Sequence, residues 1–280
     1  MTQNYLAKFG LAALLTCSAS IANAELSGAA DVSLLNSSRT NTDTDIEGSP
    51  FKGFALSGFV SNTFENNLRV TADVRWEELN EDNSDIYVTG PKHAGVFGLH
   101  GGKVFGDIYT GLFIGAGFAD GDDDGIKADL IYGIEADLAV NSTVNVFGQL
   151  GYVSEAIDDA GDNEFDGYSV RFGASKQFTD QLSASIDYER AKSSTCFEDC
   201  GNDWGEYRSF GIDVTYVIND DLHLIAGYEN QKITANTEDD GSAKNFTIGI
   251  RVPFGGSNGR NNLATPIGGF HAAGWMSPLD

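Results

Sequence analysis

Beyond residue 24 the sequence holds no continuous apolar run of 18 or more residues, so it contains no transmembrane helix. Bases are also scarce: 17 lysines and arginines stand against 41 acids, a formal net charge of −24. Phosphate backbones require the opposite sign, which excludes a nucleic-acid partner. Cysteine is equally rare, with three in 280 residues, and Cys17 falls in the N-terminal leader. That leader, "MTQNYLAKFGLAALLTCSASIANA", places one base, Lys8, before a short apolar stretch and ends on the small-x-small site Ala22-Asn23-Ala24. It reads as a cleaved secretory signal peptide spanning residues 1–24, too short to cross a bilayer, with the mature chain starting at Glu25. A lipidated Cys17 is the weaker alternative, because Thr16 suits the position before such a cysteine poorly. An exported chain lives where disulfides persist, so the remaining pair, Cys196 and Cys200, is expected to bridge a loop. A zinc site built on two cysteines without a neighbouring histidine is the poorer reading. Any contact with a membrane falls to strands.

Strands are what the sequence offers. "SFGIDVTYVI" puts Phe210, Ile212, Val214, Tyr216 and Ile218 on one face and Ser209, Gly211, Asp213, Thr215 and Val217 on the other. From Leu26 onward about ten residues of such alternation are followed by a break, and the breaks alternate in length. Short polar turns are expected at "NTFENN" (62–67), "HGGK" (100–103), "NST" (141–143), "TDQ" (179–181) and "NDD" (219–221). Long connections occupy 36–50, 78–90, 119–126, 155–166, 191–206 and 235–243. Six long and five short connections join twelve strands. This is the pattern of an all-β, antiparallel, up-and-down transmembrane barrel, with tight turns on the periplasmic side and long loops outside. A soluble sandwich has no reason to sort its connections by length.

The two faces agree with that architecture. Strands climbing from the short turns end their apolar register in an aromatic: Trp76, Phe118, Tyr152, Tyr188 and Tyr228. Descending strands place Phe178, Tyr216 and Phe254 at the opposite end. Aromatic rings at both edges of an apolar band form an interfacial girdle, since amphipathic rings favour the headgroup layer. The apolar register therefore faces lipid, and the register of Ser, Gly, Thr and charge faces a narrow, water-filled interior.

The last strand, "TIGIRVPF", carries a resemblance. Thr247, Gly249, Ile250, Val252 and Phe254 resemble the C-terminal assembly signal of Gram-negative outer-membrane β-barrels of the small porin type. The resemblance covers Glu25 to Phe254, is architectural, and implies insertion by the barrel-assembly machinery. Here Phe254 is followed by 26 residues, so recognition would be internal. That tail, residues 255–280, begins as a Gly/Ser/Asn linker and continues with Leu263, Ile267, Phe270, Trp275 and Met276. Spaced apolar residues point to a lumenal plug or a periplasmic docking peptide; a frayed terminus is the plain alternative.

The inward register holds ten acids (Asp31, Asp73, Glu77, Asp129, Glu135, Asp137, Asp187, Glu189, Asp213 and Glu229) and five bases (Arg69, Arg75, Lys127, Arg171 and Arg251), for a net of −5. Arginines are expected to pair with acids across strands, and the surplus negative potential to favour cations. "DGDDDG" supplies Asp120, Asp122 and Asp124 in the spacing of half a calcium loop, but position twelve is Ile131 rather than a bidentate Glu. It is at most a weak surface site for Ca²⁺ or Mg²⁺, and no resident cofactor is expected. The histidines His93, His100, His223 and His271 match no hydrolase arrangement; His100 and His223 are placed beside short turns, and no catalytic residue is assigned. The sequence thus leads to an outer-membrane channel for passive diffusion of small hydrophilic solutes, with membrane lipid and lipopolysaccharide as surroundings. A non-conducting barrel acting as a structural protein or adhesin through its acidic loops is the alternative, and an outer-membrane hydrolase is less favoured.

Overall fold

The computed structural model describes residues 26–41, 46–47, 51–80, 93–120, 126–157, 167–193, 205–235, 241–255 and 261–268. The strands are β1 (Ser27–Asn41), β2 (Ile46–Glu47), β3 (Phe51–Thr63), β4 (Leu68–Asn80), β5 (His93–Phe105), β6 (Ile108–Asp120) and β7 (Ile126–Asn141), followed by β8 (Val144–Ile157), β9 (Gly167–Gln177), β10 (Leu182–Ser193), β11 (Gly205–Asn219), β12 (Leu222–Ala235) and β13 (Gly241–Phe254). Each pairs antiparallel with its neighbour in sequence, except that β1 pairs mainly with β3. β2 adds only a two-residue pairing to the far end of β1. Pairing of β13 with β1, from Gly28 opposite Phe254 to Asn41 opposite Gly241, closes the sheet. The result is an all-β, closed, twelve-strand antiparallel barrel, with β2 as a small addition at one end. Closure leaves no edge, so every strand can satisfy its backbone groups without water.

Alternation decides which side chains meet lipid. Leu34, Leu112, Ile134 and Ile248 lie on the outer face and are more than half exposed, which is stable only against hydrocarbon. Outward rings pair across strands at the end with the long connections: Trp76 with Phe118, Phe172 with Tyr188, and Tyr228 with Phe246, at centroid separations of 5.1, 5.4 and 4.9 Å. Phe105, Phe178, Tyr216 and Phe254 form the matching outward set near the short turns. Across the closing seam Arg251 donates to Asp31 through Nε at 2.8 Å and Nη2 at 2.6 Å, the bidentate geometry in which a guanidinium binds carboxylate most strongly.

One turn lies elsewhere than the sequence suggests. "HGGK" is extended and belongs to β5; the reversal comes at Gly106 and Asp107. Gly106 adopts φ +60°, a conformation open to glycine at little cost, so it and not the earlier glycines makes the turn. Gly102 serves close approach: a Cβ there would strike the Thr110 carbonyl of β6. Moving the turn moves His100 from a strand end into the barrel.

The interior also departs from the expected polar bore. Val96, Phe113, Ile131, Val153, Tyr207 and Ile233 point inward and are almost fully buried, forming one apolar cluster that includes Ile267 of the tail. The sheet there carries apolar residues on both faces, as in the run Leu130-Ile131-Tyr132. A lumen filled by side chains in this way behaves as a packed core rather than a channel wall.

Candidate functional site: the lumen and the segment inside it

Phe254 ends β13 at the short-turn end of the barrel. Gly255, with φ +64°, turns the chain, and residues 261–268 then run through the interior against the inward faces of β4 to β10. Leu263 packs with Tyr109 and Phe147, while Ile267 joins the apolar cluster beyond.

The wall holds this segment chiefly by its backbone. Arg171 Nη1 donates to the carbonyls of Asn262 and Ala264 at 3.4 and 3.1 Å, and Gln149 Nε2 donates to the Leu263 carbonyl at 3.2 Å. Asp73 accepts the Thr265 amide at 3.2 Å and its hydroxyl at 3.1 Å. Glu189 accepts the Gly268 amide at 2.8 Å. Two further side-chain contacts, Asn262 Nδ2 to Asp137 at 3.4 Å and Thr265 Oγ1 with His100 Nε2 at 3.1 Å, complete the set. Cationic donors meet carbonyls and carboxylates meet amides, which is how charged walls satisfy a desolvated peptide.

Behind these contacts lies a buried polar network centred on His100. Its Nε2 faces Asp73 at 2.5 Å and its Nδ1 faces Glu135 at 2.8 Å. Glu135 also accepts Tyr109 Oη at 2.9 Å and Gln149 Nε2 at 3.1 Å. All five side chains are nearly inaccessible to solvent. The sequence places His100 beside a short turn with no role, and it does not single out Tyr109 or Gln149. The signal available was register, since His100 follows Ala94, Val96 and Gly98 on the inward face of β5.

Of the residues proposed from sequence to line the interior, Asp73, Glu135, Asp137, Arg171 and Glu189 come together around the tail. Asp31, Arg75, Asp187, Asp213, Glu229 and Arg251 line a residual cavity of about 260 Å³ beside it. Arg171 also donates to Asp187 through Nε at 3.2 Å, Arg75 pairs with Glu77, and Asp213 is exposed to the cavity. Arg69 stands apart, over the Tyr109 ring at 5.0 Å. Thr247, Gly249, Ile250, Val252 and Phe254 lie in β13; Ile250, Val252 and Phe254 face outward and are exposed. Asp120 ends β6 and Asp129 falls on β7, but their side chains, like that of Lys127, lie outside the described residues, as do Asp122 and Asp124, the Cys196 and Cys200 pair, and His271. His223 is buried near the start of β12. Among the described residues there is no cluster of three or more metal-ligating side chains.

No protein-family model and no curated protein matches the sequence. Solved structures do match in fold. A structure titled NanC porin superposes with a TM-score of 0.52 at 10% identity, covering 79% of this chain and 98% of its own. The fold is that of an outer-membrane porin. An outer-membrane channel from Pseudomonas putida F1 also matches the porin fold at TM-score 0.52 and 10% identity, over 81% of this chain and 95% of that one. At such identity the likeness is one of architecture, and side-chain roles in this porin fold come from its own residues.

Proposed function

We propose that the chain is an outer-membrane channel for small hydrophilic solutes whose C-terminal segment acts as an internal plug. The supporting observation is the set of backbone bonds from Arg171, Gln149, Asp73 and Glu189 to residues 262–268. Beside the inward side chains of the apolar cluster, part of the lumen is occupied by this segment and not by the wall itself. The residual cavity is lined by seven acids (Asp31, Asp73, Glu77, Asp187, Glu189, Asp213 and Glu229) and three bases (Arg75, Arg171 and Arg251), so a conducting lumen would prefer cations. Export through residues 1–24, a barrel over 25–254, a Cys196–Cys200 disulfide and an assembly signal ending at Phe254 belong to the same proposal.

The test is single-channel recording of the refolded mature chain in a planar bilayer under a salt gradient, beside a chain ending at Phe254. The proposal expects rare or small conductance steps for the full chain and larger, steady, cation-selective steps for the shortened one. Silence from both would overturn it. That outcome would support a second reading, a structural or adhesive barrel, which the apolar cluster around Ile131 and Ile233 favours.

A further inference from the structure

The outward face carries a one-sided arc of positive charge. Arg190 of β10 stands opposite Arg208 of β11, and Arg208 stands opposite Lys232 of β12. On β13, Lys244 pairs with Asn230, two residues from Lys232. Like charges placed directly opposite each other across strands repel, so such a row costs stability unless something negative meets it. Glu206 supplies one negative charge. It accepts Arg190 Nε at 2.6 Å and Arg208 Nε, and is itself covered by the two guanidiniums. Lys192, two residues beyond Arg190 on β10, stands opposite Glu206 as well, so five outward bases meet one acid and leave a surplus of four.

Three features make the arc more than scattered surface charge. Arg208 is half exposed and Lys232 and Lys244 are exposed, so the charge is presented outward. Glu206 is the single acid on the outward register of β10 to β13 among the described residues. The opposite flank, β4 to β8, carries no lysine or arginine on its described outward face at this end. In a chain with 17 bases against 41 acids, this concentration on one flank runs against composition. Height completes the case. Arg190 and Arg208 lie two residues, about 7 Å, beyond Tyr188 and Phe210 of the aromatic girdle. That is the layer occupied by lipid headgroups.

We propose that Arg190, Arg208, Lys232 and Lys244 form a binding site for a phosphorylated glycolipid headgroup of the outer leaflet. Glu206 holds the two guanidiniums side by side, so their fork of donors faces a phosphate together. The proposal rests on the outer-membrane placement proposed above, but not on conduction.

The test is equilibrium binding of diphosphoryl lipid A to the full mature chain in neutral-detergent micelles, read by native mass spectrometry. R190Q/R208Q/K232Q should bind at least tenfold more weakly, while K103Q/K176Q, which removes outward bases at the other end, should stay within twofold. R190K/R208K, which keeps the charge, should retain most of the binding, and heat-modifiable gel migration reports folding for every variant. Should the triple variant not fold, K232Q/K244Q takes its place with the same expectation. Equal binding by the glutamine variants, equal binding of dephosphorylated lipid A, or displacement by inorganic phosphate at matched concentration would each overturn the site.

Discussion

The two halves of the lumen wall use the same residue types to opposite ends. On the half formed by β4 to β10, Asp73, Glu135 and Glu189 are buried and bonded to His100, Tyr109, Gln149 or the backbone of the tail. On the half formed by β1, β3 and β11 to β13, Asp213 is exposed to the cavity and Asp31 answers Arg251 at the seam. A carboxylate on the covered half has exchanged water for protein donors, and its charge is spent locally. A carboxylate on the open half keeps its field for whatever enters. Counting inward charges therefore overstates the negative field an ion meets while the tail is in place, because the tail removes some of them from view.

This contrast can be broken most sharply by taking away the space the tail occupies. A Cβ on Gly98 would run into the Thr265 hydroxyl, and one on Gly115 into its methyl group. Gly98→Val should expel the segment while leaving every wall charge in place. Conductance of the full chain is then expected to rise several-fold, to the level of the chain ending at Phe254. Next comes Asp73→Ala, which deletes the acceptor for Thr265 and one side of the His100 clamp. Stranding buried groups of this kind costs about 3–5 kcal/mol, and the expected outcomes are a lower unfolding midpoint in urea and faster proteolysis of the tail. Arg171→Ala removes two bonds to tail carbonyls, each of a charged kind that contributes about 1.5–3 kcal/mol. Flickering openings in bilayer recordings should follow, with stronger cation selectivity because Asp187 loses its partner. Smallest of all is Asp213→Asn on the open half. Its reversal potential should move a few millivolts toward zero, with tail proteolysis unchanged.

Strands and lipid-facing sides were legible because period-two alternation is local: Phe210 to Ile218 declare their face within ten residues. The same locality explains what was missed. Asp73 and Thr265 are separated by 192 residues, and nothing in either neighbourhood announces the other. "HGGK" misled because two glycines beside a histidine look like a turn, whereas the backbone conformation that makes the turn belongs to Gly106. The apolar half of the lumen escaped notice because each inward register was read as one face. Ile131, Val153 and Ile233 are apolar only toward one end of strands that carry Glu135, Gln149 and Glu229 further along.

The tail's covalent attachment changes what competition inside the barrel means. Seven residues separate Phe254 from Asn262, and a short tether of this kind holds a ligand at an effective concentration of roughly millimolar order. The occupant cannot be diluted away, however dilute the protein. A solute passing through would contend with a resident peptide rather than with water. A copy of the segment supplied as a free peptide would have to approach that local concentration before it could stand in for the original.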